Sequence, residues 1–503
     1  MHKLTLASAA TVLVVGAAAL VGCAPAQTTN SSSRLTIALS SAMDSWNPAE
    51  AVSAQSYSVF PQVLTGLLAV SADGTRLEPG IAESYDADIA ARTITFHLDP
   101  KATFSTGAAV TAKDVVFSEG LWAASALYGS YFSAIQAVTA VDDQTVLFQL
   151  DAPDPTLLGI LASSNAAVVP ADFGGQSPED FWAKPIGAGA YAIDSENKGQ
   201  TIDLVRNEHY DGAPSRPETV EYKIVSDESQ RLLQFQNGDV DIVNGVTLGS
   251  ASQYDAAVLA SIPMSGVSAL IPQTRVAPLD NVDFRRALSL AIDRKALIGG
   301  GYSGRATQPT SLLPQGIPGV TPCDQCDWSD NDIAKAKSLV ASSGYDGRML
   351  TLVAASDTGP EALAAQALVP MLADAGINVQ VQTVPMSTLI DRLGSGNFDL
   401  AALTYAAGSP SPLDPLGFLS TTGVLFSGSD PAAAVAALGA LRSAADDAAV
   451  SVATSDFERW VYSNTPVVPL VVPDMVYAVS SRVGGFVPSP TMAYRVASLT
   501  LSD

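Results

Sequence analysis

The residues able to do chemistry are few and poorly spaced for it. Histidine occurs at positions 2, 97 and 209 only. His2 lies in a stretch expected to be removed, His97 in an alternating strand pattern, and His209 in the loop Arg206-Asn-Glu-His-Tyr210. A serine or cysteine nucleophile needs such a base, and neither retained histidine stands in a triad-like arrangement. No G-x-S-x-G elbow is present, since Gly301-Tyr-Ser-Gly304 lacks the spacing, and no G-K-[ST] loop offers a phosphate cradle. The 50 Asp and Glu provide many carboxylate pairs of the kind glycoside hydrolysis uses, and spacing selects none of them. Cys323 and Cys326 form a C-x-x-C in Pro322-Cys-Asp-Gln-Cys-Asp-Trp328. A redox centre would open a helix in a thioredoxin-like unit, and zinc would need two more ligands. Neither context is visible, so a small disulfide loop in an oxidising compartment is expected. No catalytic residue, metal or cofactor is expected.

A binding role therefore has to be read from the elements. The 503 residues exceed the roughly 250–300 that one core can organise, so two or more domains are expected. With 26 Lys and Arg against 50 Asp and Glu, the net charge of −24 argues against nucleic acid, whose affinity comes from basic side chains releasing counterions. The N-terminus reads Met1-His2-Lys3, then runs uncharged from Leu4 to Gly22 and meets Cys23. This reads as a lipoprotein signal over 1–22 with Cys23 as lipid anchor, followed by a small, polar tether over 23–33. A plain transmembrane anchor is the alternative, since the run could just span a bilayer. The expected location is extracytoplasmic, on the outer face of the cytoplasmic membrane or in the periplasm.

After the tether, Arg34–Leu39, Thr93–Leu98, Thr145–Leu150 and 218–225 alternate polar and apolar residues as half-buried strands do. The region 281–298 places Phe284, Ala287, Leu288, Ala291 and Ile292 on one helical face, with Asp280 or Asn281 able to cap it. From 349 a strand–helix–strand–helix–strand run follows (349–355, 361–375, 377–384, 387–393, 398–405), which generates a sheet covered by helices. Two segments echo one another. Phe235-Gln-Asn-Gly-Asp-Val-Asp-Ile-Val243 and Leu393-Gly-Ser-Gly-Asn-Phe-Asp-Leu-Ala401 each read as a helix end, a glycine turn and a strand entry.

Several segments in order resemble one family, the bacterial extracellular solute-binding proteins of the oligopeptide and dipeptide type (family 5) that feed ABC importers. They include Asp73-Gly-Thr-Arg-Leu-Glu-Pro-Gly80, Phe104-Ser-Thr-Gly107 with Thr111-Ala-Lys-Asp114, Pro185-Ile-Gly-Ala-Gly-Ala-Tyr191, Asn237-Gly-Asp-Val-Asp-Ile242 and Phe284-Arg-Arg-Ala-Leu288. The resemblance implies an α/β fold of two lobes that close by hinge bending, with a β-rich subdomain inserted in lobe I. By position lobe I takes 34–55, 185–272 and 474–503, the insert 56–184, and lobe II 273–473. It also implies a membrane permease as partner, a peptide or other small polar solute as ligand, no catalysis, and a monomer. A sugar, an opine or a peptide-like antibiotic is the alternative ligand.

In peptide-binding relatives a Trp, and three residues later an Asp that takes the peptide's amino group, follow the strand after the second echo. Here those positions hold Tyr405 and Gly408, so the carboxylate is missing. Asp414 can replace it if the loop folds back, or can serve as a turn-forming Asp before Pro415. Position along the resemblance adds Met43, Asp44 and Trp46 after the first strand and Thr247 after the second. Tyr128 and Tyr131 of the insert can close over a longer ligand or pack on the surface.

Overall fold

The computed structural model describes residues 33–502, leaving out 52, 73, 75, 213–216, 315–316, 318, 356–359, 417–430, 445 and 492. The expected signal segment, Cys23 and all but the last residue of the tether lie outside the described residues. No helix among those described is long and apolar enough to cross a membrane.

A single mixed sheet runs through the molecule. Its order is Val379–Val384, Leu350–Ala355, Leu400–Ala406, Gly266–Pro272, Val468–Val479, Ile242–Asn244, Arg34–Leu39, Thr219–Ile224, Thr201–Arg206 and Tyr191–Asn197, with Leu259–Pro263 and Ala306–Thr307 also paired to Val468–Val479. On each side of the long strand Val468–Val479 stands a parallel trio. Arg34–Leu39 lies between Thr219–Ile224 and Ile242–Asn244, and Leu350–Ala355 lies between Val379–Val384 and Leu400–Ala406.

The echo in the sequence has a physical basis in these trios. The helix Glu228–Asn237 ends at Gly238 (φ +79°) and Met386–Ser395 ends at Gly396 (φ +74°), both in the left-handed region that favours glycine. Three residues on, Asp241 accepts the Thr36 N–H (2.8 Å) and pairs with Arg482 (2.6 Å). Asp399 likewise accepts the Thr351 N–H (2.9 Å) and pairs with Arg348 (2.8 Å). Each aspartate thus pins its own strand to the central strand of its trio.

The chain passes between halves on the antiparallel strands 259–272 and 468–479. Leu259–Pro263 pairs with 474–478 on the first side, whereas Gly266–Pro272 pairs along its length with Leu400–Ala406. Met264 and Ser265 separate these two pairings. The helix Ala54–Val63 belongs to the core of the first half. Val59, Phe60 and Val63 pack among Leu35, Ile37 and Tyr222 there. The insert's own core begins at Leu67 and includes Phe96, Phe148, Trp122 and Phe132 over a four-stranded antiparallel sheet. Gly187 and Gly189 pack against the end of the helix Ala54–Val63, and the Ser105 N–H of the insert donates to the Gly187 carbonyl at 2.9 Å. A Cβ at Gly187 would stand 1.9 Å from the Val63 carbonyl oxygen, and the Gly189 N–H donates to that oxygen at 2.9 Å.

The expected α/β run is present as Leu350–Ala355, Pro360–Asp374, Val379–Val384, Met386–Ser395 and Leu400–Ala406. The helix Val282–Ala291 is capped by the Asn281 side chain and buries Phe284, Ala287, Leu288 and Ala291. Arg285 is buried with them, because its guanidinium satisfies the carbonyls of Asn464 and Thr465, which end the helix Asp447–Asn464. A cation there also meets the negative end of the helix dipole. Cys323 and Cys326 are disulfide-bonded with Cα atoms 5.3 Å apart.

Candidate functional site

The strand Leu400–Ala406 leaves the sheet at its carboxyl end and turns through Gly408, Ser409 and Pro410 into residues 413–416, which are helical. The turn is closed by Asp414. Its Oδ2 accepts the N–H groups of Gly408 (2.8 Å) and Ser409 (2.9 Å) and the Ser409 hydroxyl (3.0 Å). A Cβ on Gly408 would lie 3.7 Å from that same oxygen, so the Asp414 carboxylate occupies the ground beside position 408. Burial raises the Asp414 carboxyl to about 6, against the lowering effect of these donors.

Three tyrosines from outside the second half converge on this turn. The Tyr131 hydroxyl donates to the Asp414 carbonyl at 3.2 Å, and the Tyr128 ring stands 5.8 Å from the Tyr131 ring. The Tyr128 hydroxyl donates to the Ala51 carbonyl (2.7 Å), while that of Tyr57 lies 3.1 Å from the same oxygen and 3.0 Å from Asn165 Oδ1. Burial pushes all three phenols up, with the nearby Asp414 charge adding to it, so they remain protonated donors. Two further contacts join the insert to the second half: Arg442 Nη1 donates to Ser133 Oγ at 3.3 Å, and Gly159 faces the Pro410 carbonyl so closely that a Cβ would stand 2.9 Å away. Where the 408–410 turn meets the first half and the insert, a cavity of about 410 Å³ is lined by residues that include Thr65, Ser163, Ser265, Ser409 and Ser489. That volume suits a small molecule.

The structure brings Gly408 and Asp414 together, and burial, with the charges of Asp414 and Asp44, raises the Tyr128 phenol. Tyr405 is fully enclosed in the second-half core, with its hydroxyl donating to the Leu312 carbonyl at 2.6 Å. The Leu312 N–H in turn donates to buried Glu458 (2.6 Å). Trp46, only 6% exposed, packs in the first-half core near Phe60 and donates from Nε1 to Glu196 (2.8 Å). Asp44 secures the start of the helix Ala54–Val63, accepting the Ser56 hydroxyl (2.7 Å) and the Ser53 N–H (3.2 Å). The Thr247 hydroxyl bonds to that of Ser250 (2.9 Å), which donates to Glu228 (2.5 Å). Met43 is half-buried against the first-half core. His97 sits beside Asp86 on an exposed strand, and His209 packs against Gly107. Tyr57, Ser409 and Asn165 join the site without any motif that marks them in the sequence.

The model of the bacterial extracellular solute-binding proteins, family 5, matches residues 76–425. The probable D,D-dipeptide-binding periplasmic protein of Escherichia coli K12 is 30% identical over 69% of this chain and 68% of its own length. The heme-binding protein A of Haemophilus influenzae is 27% identical over 72% of this chain and 73% of its own. Among solved structures, the murein tripeptide binding protein of Escherichia coli superposes with a TM-score of 0.81 at 22% identity, covering 93% of this chain and 98% of that one. An ABC transporter-associated periplasmic binding protein of Helicobacter pylori, in complex with the peptide STSA, gives 0.79 at 22% identity, over 93% of this chain and 98% of the other. These likenesses fix the fold as the two-lobed α/β architecture of periplasmic binding proteins. The chain belongs to the bacterial extracellular solute-binding proteins of family 5, and its role is that of a substrate-binding component of an ABC importer.

Proposed function

We propose that this chain captures a peptide or peptide-like small solute by closing its two halves, and that it hands the solute to a membrane permease without changing it. The observation that carries this reading is the meeting of three parts of the chain at one turn: Tyr131 of the insert on Asp414 of the second half, with Tyr57 and Tyr128 held on Ala51 of the first. Contacts available only in a closed form shift the population toward it, and the permease can read closure as occupancy. The moving bodies are the parts flanking Met264–Ser265 and the strand Val468–Val479. The Asp414 carboxylate supplies the negative charge that Gly408 lacks. A cationic end of the ligand would approach Asp414 through Oδ1, because Oδ2 already holds three donors.

The internal satisfaction of Oδ2 also favours a second reading, in which a sugar, an opine or a peptide-like antibiotic without a free amino group is the cargo. Calorimetric titration with trialanine, N-acetyl-trialanine and a set of sugars and opines separates the two. Tight binding of trialanine that is lost on acetylation supports the first reading; equal binding of both peptides keeps the peptide cargo but removes Asp414 as the partner of its amino group, and binding of a sugar or opine alone overturns the first reading. The chain is further proposed to be a monomer, anchored by lipid on Cys23 outside the cytoplasmic membrane. Globomycin-sensitive labelling of the protein with a palmitate analogue, abolished by Cys23→Ala, tests the anchor.

A further inference from the structure

Between the strand Ala306–Thr307 and the helix Ile333–Ser342 the described residues form neither helix nor strand. Connections of this length inside a compact body are uncommon and are usually functional. This one is fastened to the helix Asp447–Asn464 at several points. Thr321 Oγ1 lies 2.8 Å from Ser451 Oγ, a Cβ on Gly319 would stand 2.7 Å from Val450 Cγ1, and the Trp328 ring meets that of Tyr462 edge to face at 5.1 Å. Glu458 of the same helix makes the central attachment, its Oε1 accepting the Leu312 N–H at 2.6 Å and the Ser311 hydroxyl. Burial raises the Glu458 carboxyl, while Ser311 and the amides of Leu312, Leu313 and Cys323 act to lower it. One buried carboxylate thus serves both the start of the loop and its cysteine end.

Two features of the loop go beyond fastening. The Cys323–Cys326 bridge joins residues three positions apart. So small a ring constrains the unfolded chain less than any longer disulfide loop, which makes it a weak staple. Cys323 is buried, whereas Cys326 is part-exposed and Asp324 and Gln325 between them are exposed, so a reductant can reach Cys326. The loop also reaches the candidate site. The Leu312 carbonyl accepts the Tyr405 hydroxyl at 2.6 Å, and buried Ile317 lines the 410 Å³ cavity together with Gly408, Ser409 and Pro410.

We propose that the Cys323–Cys326 bond is a redox switch for solute affinity: the oxidised chain holds the loop on Glu458 with Ile317 fixed in the cavity wall, and the reduced chain releases it. The reductant is a dithiol. Its thiolate attacks the Cys326 sulfur, the S–S bond breaks, and Cys323 takes a proton. The second thiol of the reductant then displaces Cys326, which takes the other proton as the reductant closes its own disulfide. Two electrons and two protons pass to the chain. The exposed carboxylates of Asp324 and Asp327 near Cys326 disfavour a thiolate there, which suits the pair to be a target of exchange and not a catalyst of it. The switch rests on the solute capture proposed above and adds its regulation. Coupling between two sites is reciprocal, so the solute protects the bridge by the same factor by which the bridge favours the solute.

The test compares the full chain oxidised, the same chain reduced with dithiothreitol, and the double variant Cys323→Ser/Cys326→Ser, with free-thiol titration confirming each state. In the empty protein, hydrogen exchange of the amides of Leu312, Leu313, Gly408 and Ser409 is expected to rise on reduction. A rise confined to residues 323–328 overturns the proposal whatever the ligand, and so does loss of the fold on reduction, which would make the bridge a staple. Trialanine affinity is expected to fall about fivefold or more on reduction and in the double variant. Saturating trialanine should shift the bridge, in a buffer of reduced and oxidised dithiothreitol, toward the disulfide by the same factor. Unchanged affinity, or a bridge indifferent to trialanine that binds, overturns the switch. Trialanine that binds neither form counts against the peptide reading alone. The endogenous solute of the oxidised chain then replaces it, read by native mass spectrometry before and after reduction, and equal retention overturns the switch.

Discussion

Replacing Asp414 by Asn is expected to stabilise the empty protein while weakening its binding. The native carboxyl is raised to about 6 from an ordinary 3.8, chiefly by burial. The folded state therefore holds this proton more tightly than the unfolded state, and the stability that follows is complete below the unfolded value and lost as pH rises through about 6. A shift of roughly two units corresponds to up to about 3 kcal/mol, which wild type forgoes at pH 8 when Asp414 is ionised and which a neutral amide does not. With an unfolding entropy of about 2.1 cal/mol/K per residue, a chain of this size gains or loses about 1 kcal/mol per degree, so Asp414→Asn should melt up to about 3 °C higher at pH 8. At pH 4 the difference should vanish. Binding should move the opposite way. A cationic ligand needs the ionised carboxylate, so wild-type affinity should drop up to about tenfold per pH unit below 6, and the variant should be weak and flat across the range. Scanning calorimetry of both empty proteins at pH 4, 6 and 8, with trialanine titrations at the same pH values, reads every term. The reasoning fails if Asp414→Asn melts lower than wild type by the same amount at pH 4 and pH 8, or if wild-type affinity is constant between pH 5 and pH 8.

The other expectations concern the frame around the turn. Tyr405→Ala should cost about 3–5 kcal/mol in denaturant unfolding because the ring is fully enclosed, whereas Tyr405→Phe should cost only about 1 kcal/mol for the bond to Leu312; similar losses for both would show that the ring is not packed. Gly187→Ala forces a methyl against the Val63 carbonyl and should lower the yield of folded protein or the melting temperature sharply; a wild-type melt would refute the close approach. Reducing the Cys323–Cys326 bond, or replacing both cysteines by Ser, should cost about 2 kcal/mol, as the small loop predicts, with free-thiol titration confirming the state. A larger loss would mean that the loop carries more of the fold than its size implies.

Periodicity made much of this architecture legible. The α/β run after 349 needs only alternation, amphipathic spacing and glycine stops, and its elements fall within two residues of expectation. The echo around Asp241 and Asp399 was visible as a pattern, while its cause, an aspartate joining its neighbouring strand, required the three-dimensional pairing. Lobe boundaries leave little mark in the sequence, because composition does not change along a strand or helix that serves the cores on either side of it. Site residues were the least legible. Asp44, Trp46 and Thr247 lie at strand exits where a ligand residue is plausible, yet each side chain is satisfied locally by a helix start, a Glu196 acceptor or Ser250. Asp414 stands six residues beyond Gly408 in the chain, and only the folded turn shows its carboxylate beside that position.

The central claim is that the closed halves hold a solute and release it unchanged. Native mass spectrometry of the protein gently purified from its source, followed by mass analysis of the solute freed on unfolding, tests it most directly. The account predicts one small molecule per chain, with the same mass after prolonged incubation with the protein. A protein that never carries a solute, or one that converts its solute with time, would contradict it.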